Sequence, residues 1–253
     1  MLGGAMAKGL HQAGARVAIA GRGEEKLGRR VEELAEEGVQ VFPVQLDCSE
    51  HQAISEAVEK IEADVGPIDI LVSAAGGNME AATVFQERPF FDIPAESFRE
   101  VIEGNLMAGA VLPCQVVGEK MARGNRPGSM ITITSSAAQL PLTGVVGYSA
   151  AKAAVTNFTQ WLSVYFARDL RSPVRVNSIM PGFFLTEQNR YLLLDNGELT
   201  ERGRAIIDQT PMNRFGNPDE LIGAVVYLAS DASSFVTGSV LSVDGGFTAF
   251  NGV

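Results

Sequence analysis

Residues 129–152 read Ser-Met-Ile-Thr-Ile-Thr-Ser-Ser-Ala-Ala-Gln-Leu-Pro-Leu-Thr-Gly-Val-Val-Gly-Tyr-Ser-Ala-Ala-Lys. The alternating β-branched residues predict a strand over Ser129–Thr134. A turn of small residues follows, then a helix predicted over Ser149–Leu170, and Val174–Ile179 predicts the next strand. Strand, long helix and strand in succession make a βαβ unit, whose strands lie parallel in one sheet.

The same alternation extends in both directions. On the N-terminal side the reading predicts helices over 1–13, 24–37 and 50–65 and strands over 16–20, 39–46 and 68–72. A long helix over 95–123 opens at Pro94-Ala-Glu-Ser. On the C-terminal side it predicts one or two helices over 186–209, a helix over 218–230 and a last strand over 240–243. No linker or low-complexity tract divides the chain, so the fold class is α/β with a doubly wound, Rossmann-type parallel sheet in one domain, 1–253. In such sheets ligands bind at the carboxyl ends of the strands, where the short turns at 21–23, 47–49, 73–77 and 181–182 fall.

Within the opening stretch, Tyr148 and Lys152 stand four residues apart, one above the other on a helix face. A phenol with a pKa of ~10 is a poor acid or base at neutral pH. A neighbouring ammonium favours the phenolate and makes the group usable. Ser135, thirteen residues before Tyr148 at the end of the strand, can return to the same pocket and hydrogen-bond a reacting oxygen. Alone, such a pair describes a surface tyrosine and lysine more often than a site.

The chain has 253 residues and a net charge of -10, which argues against nucleic-acid and anionic-membrane surfaces. The two cysteines, Cys48 and Cys114, share no metal or redox spacing, and reduced thiols in a cytoplasmic protein are the expectation. No apolar run reaches membrane-spanning length by this reading. No metal is expected, and His11 and His51 fall on early helices away from the carboxyl edge.

The ordered set of motifs resembles the short-chain dehydrogenase/reductase family over nearly the whole chain. The matching residues are Leu2-Gly3-Gly4, Leu46-Asp47, Ser73-Ala74-Ala75-Gly76, Asn105-Leu106, Ser135, Tyr148-x-x-x-Lys152, Pro181-Gly182-x-x-x-Thr186 and Val243-Asp244-Gly245-Gly246. The resemblance implies a nicotinamide cofactor and reversible hydride transfer between alcohol and carbonyl. Asn105, Ser135, Tyr148 and Lys152 would be the catalytic set, with Asn105 breaking its helix and holding a water beside the lysine. Gly3, Ala74, Ala75, Gly76, Pro181, Gly182 and Thr186 would contact the cofactor with Tyr148 and Lys152, and Asp47 would meet the adenine amino group. The family usually has Asn where this chain has Ser73, a departure expected to loosen the turn slightly. Gly21 stands where NAD-preferring members place an acid, and Arg22 follows it. A guanidinium suits a 2′-phosphate, which tilts the expectation between NAD(H) and NADP(H) toward NADP(H).

Residues 183–215 correspond to the family's substrate lid. The stretch that leads into it, Pro181-Gly-Phe-Phe-Leu-Thr-Glu-Gln-Asn-Arg190, resembles the D-mannonate oxidoreductase (D-fructuronate reductase) branch, as does Ala75-Gly76-Gly77-Asn78. The resemblance implies a sugar-acid substrate, with Asn78, Ser135, Gln188 and Asn189 toward the hydroxyls and Arg190 toward the carboxylate. It also implies a homotetramer built on the helices of Asn105 and Tyr148. Gluconate 5-dehydrogenase and 3-oxoacyl-carrier-protein reductase chemistry are the rival activities, and a catalytically inactive binding protein is the rival of another class.

The family opens with a strand and a Thr-Gly-x-x-x-Gly-x-Gly turn, and this chain begins inside that turn, at Gly3. The expectation from this reading is a sheet lacking its first strand, with two open strand edges and an apolar gap, and a gene that starts upstream.

Overall fold

The computed structural model describes residues 2–85, 87–187 and 189–252. Helix α1 (Leu2–Gln12) is followed by β1 (Val17–Gly21), α2 (Glu24–Glu36), β2 (Val41–Gln45), α3 (His51–Asp64) and β3 (Ile70–Ser73). A long helical run follows: α4 (Ala95–Ile102), a π-helical segment (Glu103–Val111) and α5 (Leu112–Gly124). Strand β4 (Gly128–Ile133), helix α6 (Val146–Val164) and strand β5 (Val174–Pro181) complete the βαβ unit read from the sequence. The C-terminal part holds α7 (Arg190–Leu193), β6 (Leu194–Asp195), β7 (Glu198–Leu199), α8 (Glu201–Asp208), α9 (Ile222–Ala229) and β8 (Val240–Val243).

The main sheet runs β3-β4-β5-β8, every neighbour parallel, and β1 and β2 form a separate parallel pair. Among the described residues β1 and β3 are each hydrogen-bonded to a strand on one side only. Their side chains are mostly half-buried, whereas β4 is buried from Ser129 to Ile133. Val17 of β1 and Ile70 and Val72 of β3 nevertheless pack against one apolar cluster, built on Met6, Ile131, Ile179, Leu221 and Val225. A second cluster on the opposite face joins α3, α5 and α6 to the sheet through Val58, Val117, Met130, Phe166 and Val176. Burying layers of this kind on both faces is what fixes the βαβ units, at about 1.5–3 kcal/mol for each large apolar side chain removed from water.

Two readings need correction. The helical run Ala95–Gly124 is long and apolar enough to cross a membrane, contrary to the sequence reading, but 56% of its apolar window is buried inside the protein. It is a core helix, packed on α3, α6 and β3. Second, the segment expected to be one or two helices over 186–209 is two short helices separated by the β6–β7 hairpin. Asn196 at φ 48° and Gly197 at φ 88° form its turn, and Asn-Gly is the dipeptide that favours two successive left-handed residues. The break implied in the long helix at Asn105 is a stretch of nine π-helical residues from Glu103.

Candidate active site

Strand β4 ends at Ile133, and the chain leaves the sheet through Thr134 and Ser135. Ser135 caps a single 3-10 turn, Ser136–Ala138, its Oγ accepting from the Ala137 amide at 3.2 Å. The chain then re-enters the fold as α6, which carries Tyr148 and Lys152. Two hydroxyl pairs bind this helix to the strand. Thr132 meets Thr159 at 2.7 Å and Thr134 meets Thr156 at 2.8 Å, and the Thr134 hydroxyl also lies 3.0 Å from the Lys152 carbonyl. Threonines two apart share a strand face and residues three apart share a helix face, so Ile-Thr-Ile-Thr and Thr-Asn-Phe-Thr carried this signal, which the sequence reading did not use.

The Ser135 hydroxyl stands near enough to the Tyr148 phenol to act on its pKa, and Ser135 rather than its neighbour Ser136 does so. Burial raises the Tyr148 pKa above its ordinary value, and the Ser135 hydroxyl works against that rise, as a donor beside the phenol oxygen does. The lysine influence expected from the spacing is not what dominates. Lys152 is almost fully buried, and its Nζ lies 5.7 Å from the centre of the tyrosine ring, donating to the Ile133 carbonyl at 2.9 Å. Burial pulls its pKa down to about 8.

Asn105 is buried inside the π-helical segment. Its Oδ1 accepts from the Gly77 amide at 3.0 Å, and its Nδ2 donates to the Gly77 carbonyl at 2.7 Å and the Val101 carbonyl at 2.8 Å. The carboxamide is therefore a clamp on the turn after β3. Gly76, at φ 125°, lies against that clamp, and a Cβ there would overlap Asn105 Oδ1. Between Ser73 and Gly77 the residues Ala74, Ala75 and Gly76 are exposed and form an open shelf. The Ser73 hydroxyl donates to the Gly109 carbonyl at 2.9 Å, so the turn expected to be loosened is tied down there.

Arg22 and Asp47 line one cleft of about 380 Å³ with Gln45, Leu46, Ala57 and Lys60. Asp47 accepts from the amide and hydroxyl of Ser49, at 3.0 and 2.8 Å, and those bonds, helped by the charge of Arg22, hold its carboxyl below the usual range. Gly3 lies in the first turn of α1, exposed, with open space where a side chain would project. Pro181 ends β5, and Gly182 is packed so closely that a Cβ would come 2.7 Å from the Asp244 Cα. Thr186 and Asn189 close the next loop: Asn189 Oδ1 accepts from the Thr186 amide and hydroxyl, and its Nδ2 donates to the Phe184 carbonyl. Asn189, expected to face a substrate, has both ends of its carboxamide engaged inside the loop. Asn78 is exposed and donates to the Thr83 hydroxyl at 2.7 Å. Arg190 is exposed at the start of α7, and its side chain makes no hydrogen bond or ion pair among the described residues. Gln188 lies outside the described residues.

A family model described as enoyl-(acyl carrier protein) reductase matches residues 2–248. An uncharacterized oxidoreductase, UxuB, from Bacillus subtilis (strain 168) is 40% identical over 259 residues, spanning 98% of this chain and 91% of that protein. The chain belongs to the short-chain dehydrogenase/reductase family. Members are NAD(P)-dependent oxidoreductases that act on alcohol groups. A candidate D-mannonate oxidoreductase from Haemophilus influenza, solved with bound NAD, superposes with a TM-score of 0.91 at 37% identity, covering 100% of this chain and 93% of that one. Gluconate 5-dehydrogenase from Burkholderia cenocepacia J2315, solved with NADP and tartrate, gives a TM-score of 0.85 at 32% identity, with 99% and 92% covered.

The residues present fit a nicotinamide cofactor. The Lys152 ammonium carries three donors and gives one to Ile133, which leaves two for ribose hydroxyls. The shelf of Ala74, Ala75 and Gly76 has no side chain large enough to keep a nucleotide from the backbone.

Proposed function

We propose that the protein interconverts a secondary alcohol and a ketone on a sugar acid, D-mannonate and D-fructuronate, as a cytoplasmic homotetramer. The observation that carries the chemistry is Tyr148 with Ser135 beside it and a buried lysine 5.7 Å from its ring, a geometry for exchanging a proton with a substrate oxygen. Bound nicotinamide supplies the hydride to the ketone carbon, or takes it from the alcohol. Tyr148 gives or receives the hydroxyl proton, and Ser135 donates to the same oxygen and polarises it. Lys152 holds the ribose and passes the proton onward to solvent. Asn105 keeps the shelf of Ala74–Gly76 in place beneath the cofactor.

The substrate class rests on the likeness to sugar-acid oxidoreductases and on Arg190 at the edge of the lid, whose guanidinium has no partner among the described residues and suits a carboxylate. Arg22, exposed in the cleft with Asp47, supports a preference for NADP(H). The exposed Trp161 and Val164 on α6, with Tyr165 stacked on Trp161 just beyond its end, support burial of this helix against another copy. The test is a comparison of kcat/KM for D-fructuronate, 5-keto-D-gluconate and an acetoacetyl thioester with each cofactor. Highest kcat/KM with fructuronate supports the reading; turnover of the thioester alone overturns it.

A further inference from the structure

The turn from Ser73 to Gly77 is fastened to the π-helical segment at both ends. At its far end, Asn105 holds Gly77 through amide and carbonyl. At its near end, the buried Ser73 hydroxyl reaches across to the carbonyl of Gly109, four residues beyond Asn105 on the same segment. Between the two latches Ala74, Ala75 and Gly76 are exposed and make no hydrogen bond among the described residues. Gly109 has no room for anything larger, since a Cβ there would stand 2.7 Å from the Ala75 carbonyl. The shelf therefore takes its height and tilt from the π-helical segment, and Ser73 sets one of the two fixed points.

We propose that Ser73 is a positioning residue for nicotinamide-cofactor binding, acting through Gly109 and the π-helical segment. A π-helical stretch spaces its main-chain bonds differently from an α-helix. It is tied to the turn twice, through Asn105, which it carries, and through Ser73, which reaches it from β3. Removing the hydroxyl leaves the near end held to β4 by the strand ladder but no longer to the π-helical segment, so the shelf's placement against that segment must be fixed when the cofactor binds, and that ordering subtracts from affinity. The inference rests on the use of a nicotinamide cofactor, not on the sugar-acid assignment.

The test is direct titration of purified wild-type protein, Ser73→Ala and Ser73→Cys with NADH and NADPH in the absence of substrate, followed by nucleotide fluorescence. Loss of one hydrogen bond to the shelf predicts a Kd about tenfold higher for Ser73→Ala, with Ser73→Cys, a weaker donor of similar size, in between. Hydrogen exchange in the cofactor-free proteins separates positioning from general destabilisation. Faster exchange confined to residues 73–77 and 103–111, with α6 and β4 unchanged, is expected. An unchanged Kd in Ser73→Ala overturns the proposal, and so does uniformly faster exchange across the fold. If Ser73→Ala does not fold, Ser73→Cys decides by the same two readouts. Wild-type protein that binds neither nucleotide overturns the cofactor reading together with this one.

Discussion

Lys152 donates to the carbonyl of Ile133 at 2.9 Å, so the site's ammonium is anchored to the strand that also delivers Ser135. The ammonium sits in an almost fully buried place, and that burial draws the lysine pKa down to about 8. Between that value and the ordinary 10.5, the unfolded chain binds the proton more readily than the folded one. Stability therefore rises with pH across this window through Lys152. Relative to Lys152→Met, the wild-type protein gains up to roughly 3 kcal/mol between pH ~8 and ~10.5, measured by denaturant melts at stepped pH. A constant difference between the two proteins would contradict the assignment.

Tyr148→Phe removes the group that exchanges the proton and leaves the ring in place. The expected loss in kcat is about 10²–10⁴-fold, with cofactor Kd within about twofold of wild type. Steady-state rates and a nucleotide titration on the same preparation check both halves.

Asn105→Ala removes three hydrogen bonds from a buried clamp and strands both the amide and the carbonyl of Gly77. A loss of about 2–4 kcal/mol is expected from denaturant unfolding. Asn105→Asp keeps the acceptor for the Gly77 amide and removes both donated bonds, and it also buries a charge, so it is not expected to restore stability.

Arg22→Glu places an acid in the cleft with Asp47. The predicted outcome is a kcat/KM with NADPH lowered about 10- to 100-fold while NADH is held or improved, read from rates with the two nucleotides.

Arg190→Ala removes a lid cation that has no side-chain partner among the described residues. The sugar-acid KM rises about 10- to 100-fold, while the cofactor KM and the rate with an uncharged ketone are unchanged. Partial rescue by added guanidinium would confirm the role.

The catalytic elements were legible because their signals are local. Ile131–Thr134 alternates as a strand does, Tyr148 and Lys152 keep helical spacing, and β8 falls on Val240–Val243 as expected. What escaped the sequence depends on contacts between distant segments. Nothing near Asn105 announces that its carboxamide clamps Gly77, 28 residues away in sequence. Ser73 read as a weakened turn, because its partner Gly109 is 36 residues further on. The lysine–tyrosine coupling was overestimated because spacing reports a shared helix face but not burial, and burial dominates both groups here. The β6–β7 hairpin is a different case: Asn196-Gly197 was a readable turn signal inside a stretch assigned to helix. Asn189 resembled a substrate donor by type, yet its short range to Thr186 and Phe184 makes it a loop closure.

The measurement that bears most directly on the central claim is the initial rate of nicotinamide oxidation by D-fructuronate, with wild-type protein and Tyr148→Phe side by side. The account predicts saturable, stoichiometric conversion to D-mannonate by the wild type and a rate at least about 100-fold lower in the variant at equal cofactor occupancy. Equal rates for the two proteins, or no turnover by a wild type that binds the cofactor, would contradict it.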